Sequence, residues 1–124
     1  EALTTVLAAE STALTDPAGA PDMSPVLAGD ALAEHEATVA QYRAEDLRAE
    51  GAARPTEVRV LGADAQEITT EACVDTSEVR VWTTDGVEVT DGSAPRRSRM
   101  VFTFRPGDGG WTLAERAFAS EPAC

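Results

Sequence analysis

Several residue types are scarce or missing, and each absence makes certain kinds of site or function unlikely to occur in this chain. The chain has no Lys and no Asn, a single histidine at His35 and only two cysteines. No run of about 18 apolar residues occurs, so we expect no helix that crosses a bilayer and no direct membrane insertion. With one histidine and no CxxC motif, we predict no metal site and no bound cofactor.

Catalytic motifs are also missing. No GxSxG occurs, and a lone histidine without a placed acid leaves a catalytic triad unsupported. The glycine-rich GDGG at 107–110 lies between two predicted strands with no helix after it. It therefore predicts a hairpin turn and not a phosphate-binding loop.

Aromatic residues make up only 5% of the 124 residues, although 43% are hydrophobic. This length fits one globular domain spanning residues 1–124, with one core. Much of the apolar fraction is alanine, so the core is expected to be thin. Such a core would gain from additional stabilisation.

The chain is strongly acidic, with 22 acidic residues, 10 basic residues and a formal net charge of -12. A surface of this sign repels phosphate backbones and anionic lipid. Nucleic acid is therefore not expected as a partner. Arg96, Arg97 and Arg99 form the one basic cluster, which is either a docking site for an acidic partner or the solvated start of an exposed strand.

The two cysteines, Cys73 and Cys124, allow one disulfide. It would close a loop of about 50 residues and contribute roughly 4 kcal/mol in the chain-entropy model. The alternative is two unrelated thiols, one buried and one exposed. A disulfide favours an exported protein, because the cytosol keeps thiols reduced. The start at Glu1 without Met suggests a removed leader or anchor, or a truncation.

Helical periodicity dominates the first half of the chain. The first predicted helix ends near Leu14, and a short turn begins at Ser24 and Pro25. The longest helix is predicted from a cap at Asp30 through Glu50, with Gly51 as its C-cap.

From Pro55 onward the apolar period changes to two, and LGADA, TTDGV and RPGDGGW supply hairpin turns. The predicted fold class is α+β, with about three N-terminal helices packed on a curved antiparallel sheet of four to five strands. Alternation places Cys73 on the more polar face of its strand, with Glu71 and Asp75.

This order of elements resembles the cone-shaped fold of the nuclear transport factor two-like superfamily, which includes SnoaL-like and cystatin-like cone proteins and ketosteroid isomerase. The stretches that carry the likeness are AGDALAEHEATVAQYRAEDLRAEGAARP, ACVDTSEVRVWTTDGVEV and GDGGWTLAERAFASEPAC. The chain is most similar to small exported proteins or lipoproteins of actinobacteria, most of them uncharacterised. The resemblance implies a Cys73–Cys124 pair that pins the tail across the sheet. It also implies a possible homodimer.

Enzymes of this fold work inside the cone, where an acid or base stands in an apolar pocket. His35 is the first candidate, with Tyr42 as a hydrogen-bonding neighbour; the alternative is a partly buried histidine flanked by solvated Glu34 and Glu36. Asp46 is too far along the helix to pair with His35. The further cavity candidates are large aromatic residues: Phe102, Phe104 and Trp111, with packing in the core as the alternative, and Trp82, with shielding of the proposed disulfide as the alternative. No position matches the isomerase's acidic base or tyrosine donor, so no catalytic residue is assigned.

The sequence thus predicts an extracytoplasmic binding or accessory module without catalytic activity, secreted or held at the membrane by a segment outside this chain. Its partner would be a small molecule or an envelope protein. One alternative is a small-molecule carrier or enzyme that uses the cavity between the long helix and the sheet. Another is a structural module of a cell-envelope assembly. The lining of the cavity separates these hypotheses, because an enzyme needs convergent polar groups there.

Overall fold

The structure is a computed structural model that describes residues 2–90, 92–93, 95–107 and 109–124. The helices precede the strands along the chain. The elements are α1 (Ala2–Thr15), a 3-10 turn (Pro17–Gly19), α2 (Gly29–Ala44), β1 (Leu47–Glu50), β2 (Arg54–Ala63), β3 (Ile68–Asp75), β4 (Arg80–Thr83), β5 (Arg97–Gly107) and β6 (Gly110–Phe118).

The strands form two antiparallel sheets. The larger sheet has four strands in the order β2-β3-β5-β6, and the smaller one pairs β1 with β4. In the larger sheet Phe102 of β5 lies opposite Thr70 of β3 and Arg116 of β6. Because residues directly opposite each other share a face, these three side chains all belong to one side of the sheet.

That side is covered by the helices and holds the core. Leu3, Val6 and Leu7 of α1 lie at helical spacing and are buried. They pack in one cluster with Phe102 and Phe104 of β5. The α+β class and the curved antiparallel sheet therefore agree with the sequence prediction, and both helices pack on the face of the sheet that carries Phe102.

The predicted helix count and the predicted end of the long helix are wrong. The described residues contain two α-helices, and the short helical segment expected to begin at Ser24 and Pro25 is a turn in which Val26 N and Leu27 N donate to Met23 O. α2 ends at Ala44, and a positive φ of 55° at Asp46 turns the chain into β1. Pairing with β4 satisfies the backbone groups of this segment, so tertiary contacts override its helical pattern.

Gly51 has a different role from the predicted C-cap. Its φ is +82°, and a Cβ built there would lie 2.1 Å from the carbonyl oxygen of Glu78. Glycine is required because the chain approaches its neighbour closely after β1. The predicted cap at Asp30 is also displaced, since the N-cap is Ala28 and Asp30 lies in the first turn of α2.

The disulfide prediction is confirmed. Cys73 and Cys124 are bonded, with their Cα atoms 6.1 Å apart. The tail crosses the face of the sheet opposite the helices, where Arg99 N donates to Pro122 O at 2.8 Å and Ala119 N donates to Arg99 O at 2.9 Å. Cys73 is fully buried beneath this tail.

Candidate functional site

A cavity of about 360 Å³ lies between the two helices and the covered face of the larger sheet. Its walls are mostly apolar, and they include Leu7, Leu14, Val74, Val79, Met100 and Phe102. Known small-molecule sites span roughly 300–1,000 Å³ and have similarly apolar walls. The cavity is therefore large enough for a small ligand.

One end of the cavity is polar, where a carboxylate lies between a guanidinium and an imidazole. Arg116 Nη1 donates to Glu10 Oε1 at 2.8 Å, and Arg116 Nη2 donates to Glu10 Oε2. His35 Nδ1 lies 3.5 Å from the same Oε2. The Glu10–Arg116 pair is thus bidentate, which is the strongest form of this contact.

Each of these side chains reaches the cavity through local structure. Glu10 follows Leu7 by three residues and so continues the buried stripe of α1. His35 faces the same space from α2 and is 6% exposed. Arg116 lies opposite Phe102 and therefore points to the helix-covered face.

Arg116 depends on a bulge in β6. Phe104 pairs with Leu113, but Thr103 pairs with Glu115, so Ala114 is an extra residue on β6. Strict alternation from the buried Leu113 would have placed Arg116 on the open face. The extra residue reverses that alternation and turns the guanidinium toward the helices.

The electrostatics of this end keep Arg116 charged. Burial by itself lowers the pKa of Arg116, but the hydrogen bonds that Arg116 donates to Glu10 and the charges of Glu10 and Glu34 outweigh it and raise the pKa above its usual range. Glu34 Oε1 lies 3.8 Å from Arg116 Nε, and its side chain is 59% exposed. Glu34 is therefore at the mouth of the cavity, whereas Glu10 is inside it.

His35 has one ring nitrogen engaged and one without a partner. Nδ1 lies toward Glu10, and Nε2 is buried with no hydrogen-bond partner in the described part of the chain. Nδ1 and Nε2 lie on opposite sides of the imidazole ring, so Nε2 is directed away from Glu10. His35 also borders a second cleft of about 360 Å³, whose lining includes Asp22, Glu36 and Arg43. The imidazole ring therefore lies between the cavity and this cleft.

The structure brings two of the predicted cavity residues together, because His35 and Phe102 line the same cavity. Tyr42 lines a separate cleft of about 230 Å³ with Pro17 and Arg43, and burial raises the pKa of its hydroxyl. Seven residues of helix separate Tyr42 from His35, which is about 10 Å.

The remaining aromatic candidates lie apart from one another. Trp82 belongs to β4 in the smaller sheet, Phe104 is 3% exposed in the core, and Trp111 is 36% exposed near the start of β6. None of these three is among the described residues that line the cavity beside His35. The Nε1 atom of Trp82 is buried and has no hydrogen-bond partner among residues 2–90, 92–93, 95–107 and 109–124.

Glu10 and Arg116 were missed by the sequence analysis. The stripe of α1 is a signal that could have found Glu10, since it lies at helical spacing from Leu3, Val6 and Leu7. No comparable signal exists for Arg116, whose orientation depends on the bulge. Glu34, expected to be solvated, is largely exposed but also borders the cavity.

The basic cluster lies on the other side of the sheet. Arg99 is within 3.8 Å of both Glu57 and Glu71, and Arg97 Nη2 is 3.5 Å from Glu57. Arg99 and the two glutamates border a polar groove of about 640 Å³, together with Arg59 and the tail. Carboxylates therefore already neutralise Arg97 and Arg99 in place.

Metal ligands do not gather in the described part of the chain, where no group of three or more His, Cys, Asp or Glu side chains is arranged to hold an ion. Among the same residues, no helix has both the length and the apolar character needed to span a membrane.

Comparison with known proteins identifies the fold. No protein-family model matches the chain, and no curated protein matches it. The intermembrane space region of the chloroplast protein ARC6 superposes with a TM-score of 0.69 at 15% identity, over 96% of this chain and 92% of that one. A candidate aromatic ring hydroxylase from Novosphingobium aromaticivorans superposes with a TM-score of 0.60 at 17% identity, over 98% of this chain and 90% of the other. At these identities the likeness concerns the fold, an α+β arrangement of helices on a curved antiparallel sheet.

Proposed function

We propose that this chain is an extracytoplasmic binding module of the nuclear transport factor two-like superfamily, and that it holds a small, mainly apolar molecule in the cavity between the helices and the sheet. It is an exported protein of the small secreted or lipoprotein kind and performs no reaction on its ligand. The observation that carries the proposal is the apolar cavity that ends at the Glu10–Arg116 pair.

The polar end supports binding more than catalysis. A general base needs a free lone pair within reach of its substrate. Both carboxylate oxygens of Glu10 receive hydrogen bonds from Arg116, and Oε2 also faces His35. The free nitrogen of His35 is buried and directed away from Glu10. Glu10, Arg116 and His35 Nδ1 are therefore engaged with one another, which favours a role in orienting a ligand.

The disulfide supports the extracytoplasmic part of the proposal. It joins residues 51 apart in sequence, and bonds of this kind persist in oxidising compartments. Alkylation of protein taken directly from the producing cells would test this point. We expect neither Cys73 nor Cys124 to be labelled before reduction, and both to be labelled after it. Labelling of both without a reductant would contradict export.

A cavity-filling variant tests the binding function. Ala53 lines the cavity, and its neighbour Ala52 is not among the described residues that do. Ala53→Leu should reduce the volume available to a ligand, whereas Ala52→Leu makes the same chemical change beside it. Titration of each protein with benzyl alcohol, followed by amide chemical shifts, measures the affinity.

We expect saturable shifts in wild type and in Ala52→Leu, and an affinity weakened about tenfold in Ala53→Leu by loss of apolar contact area. Thermal unfolding of the three unliganded proteins controls for damage to the fold. Equal affinities in all three proteins, or no saturable shift in wild type, would contradict a ligand site in this cavity.

A further inference from the structure

We infer that the cavity selects cationic ligands over anionic ones, so that its occupant is a small apolar amine whose ammonium group lies beside Glu34. This inference rests on the proposed function and specifies the ligand class. It comes from the balance of charges at the polar end and from the hydrogen-bonding capacity that remains there.

The fixed charges at this end favour a cation. Glu10 and Glu34 each carry a negative charge, and Arg116 carries one positive charge, in a chain of formal net charge -12. The sum of these three charges is therefore negative before a ligand enters. Apolar walls on the remaining sides strengthen this field, because they limit screening by water.

Glu34 and Thr38 offer hydrogen-bond acceptors at the mouth of the cavity. Among the described residues, the Glu34 carboxylate contacts only Arg116 Nε, at 3.8 Å, so most of its lone pairs are available. Thr38, one turn further along α2, uses its hydroxyl hydrogen on the carbonyl of Glu34 and also offers lone pairs. A ligand with several N–H donors complements this rim, and an ammonium group has three.

A carboxylate ligand has no comparable partner. Its natural partner would be Arg116, but that guanidinium already holds Glu10 through two hydrogen bonds. Two of its five N–H donors are used in that pair, and a ligand carboxylate that approached the others would lie close to the negative charges of Glu10 and Glu34, which repel it.

Three ligands of one shape test the inference: benzylamine, benzyl alcohol and benzoate. Each is titrated into wild-type protein at neutral pH and low salt, with amide chemical shifts as the readout. We expect benzylamine to bind most tightly, benzyl alcohol less tightly and benzoate at least about tenfold more weakly than benzylamine.

Two variants of α2 provide the matched comparison. Glu34→Gln removes the carboxylate at the mouth, whereas Glu36→Gln removes the same charge from a residue that borders the other cleft. We expect benzylamine affinity to fall about threefold in Glu34→Gln and to stay unchanged in Glu36→Gln, with benzyl alcohol unaffected by either.

Benzoate binding as tightly as benzylamine, or equal losses in the two variants, would overturn the charge selection and leave the cavity as a ligand site. Failure of all three ligands to shift cavity resonances would overturn the proposed function together with this inference. The two failures are thus distinguishable in one set of titrations.

Discussion

The two faces of the larger sheet carry the same Arg–Glu chemistry in different surroundings. On the helix-covered face, Arg116 and Glu10 have side chains that are 18% and 13% exposed. On the open face, Arg105 donates to Glu115 at 2.7 Å, with side chains that are 47% and 50% exposed. Burial, and not the identity of the charges, therefore decides which pair matters for stability.

The two faces are also closed by different means. Helices and a thin apolar core cover one face, whereas the tail from Ala119 to Cys124 crosses the other and is fixed by the disulfide. The Arg105–Glu115 pair on the open face lies largely in solvent and adds little by itself. On the open face, the disulfide therefore provides the stabilisation that burial of apolar side chains provides under the helices.

Removal of the disulfide should cause the largest change. Replacing both Cys73 and Cys124 with Ala frees the tail and returns the loop entropy to the unfolded chain, so the free energy of unfolding should fall by about 4 kcal/mol. Urea denaturation measures this loss. The wild type should lose a similar amount when a reductant is added, while the variant should not respond. A loss below about 1 kcal/mol would show that the open face does not need the bond.

Breaking the buried ion pair should cause the next largest change. Arg116→Met leaves Glu10 charged in a mostly apolar space, and we expect a loss of about 3 kcal/mol in urea denaturation. The companion variant Glu10→Gln and the double variant complete a mutant cycle. The double variant should recover part of the loss, because no unpaired charge remains. Strictly additive effects would mean that the two side chains do not interact in solution.

Arg105→Met on the open face is the matched comparison. It removes the same type of charge from the same sheet, but Arg105 and Glu115 stay hydrated when separated. We expect no measurable shift of the urea midpoint, and no dependence of that result on moderate salt. A loss equal to that of Arg116→Met would remove the distinction between the two faces.

The smallest expected effect concerns pH and Asp75 at the end of β3. Hydrogen bonds from the side chain and backbone of Ser77, with the charges of Arg97 and Arg54, lower the pKa of Asp75. A carboxyl whose pKa is lower in the folded state contributes stability above its unfolded pKa, and this is lost as pH falls through the folded value. Asp75→Asn should therefore lower stability slightly at neutral pH, leave stability at low pH unchanged, and so flatten the acid limb of stability against pH. An acid limb of unchanged slope would contradict the role of Asp75.

Local patterns predicted the parts of the fold that depend on local chemistry. The hairpin turn LGADA, for example, forms where expected, with the Asp64 carboxylate accepting from the backbone of Gln66 and Glu67. The disulfide was predicted because two cysteines allow one pair. The end of α2 was not, since Leu47 and Ala49 fit a helical stripe as well as a strand until β4 is present to pair with them.

The candidate site was only half predictable for the same reason. His35 was singled out from its place on α2, but its carboxylate partner comes from α1, and Arg116 lies 106 residues from Glu10 in sequence. No periodicity links such distant positions. The bulge at Ala114 also prevents the orientation of Arg116 from being predicted, because it reverses the alternation from which a buried face is inferred.

Intermolecular nuclear Overhauser effects test most directly whether the helix-covered face holds the ligand site. In a complex of wild-type protein with benzyl alcohol, the aromatic protons of the ligand should show contacts to the methyl groups of Leu7, Val74 and Met100, which line the cavity. Contacts confined to the apolar surface around the exposed Phe118 and Pro122 would place the ligand elsewhere and contradict the proposed cavity site.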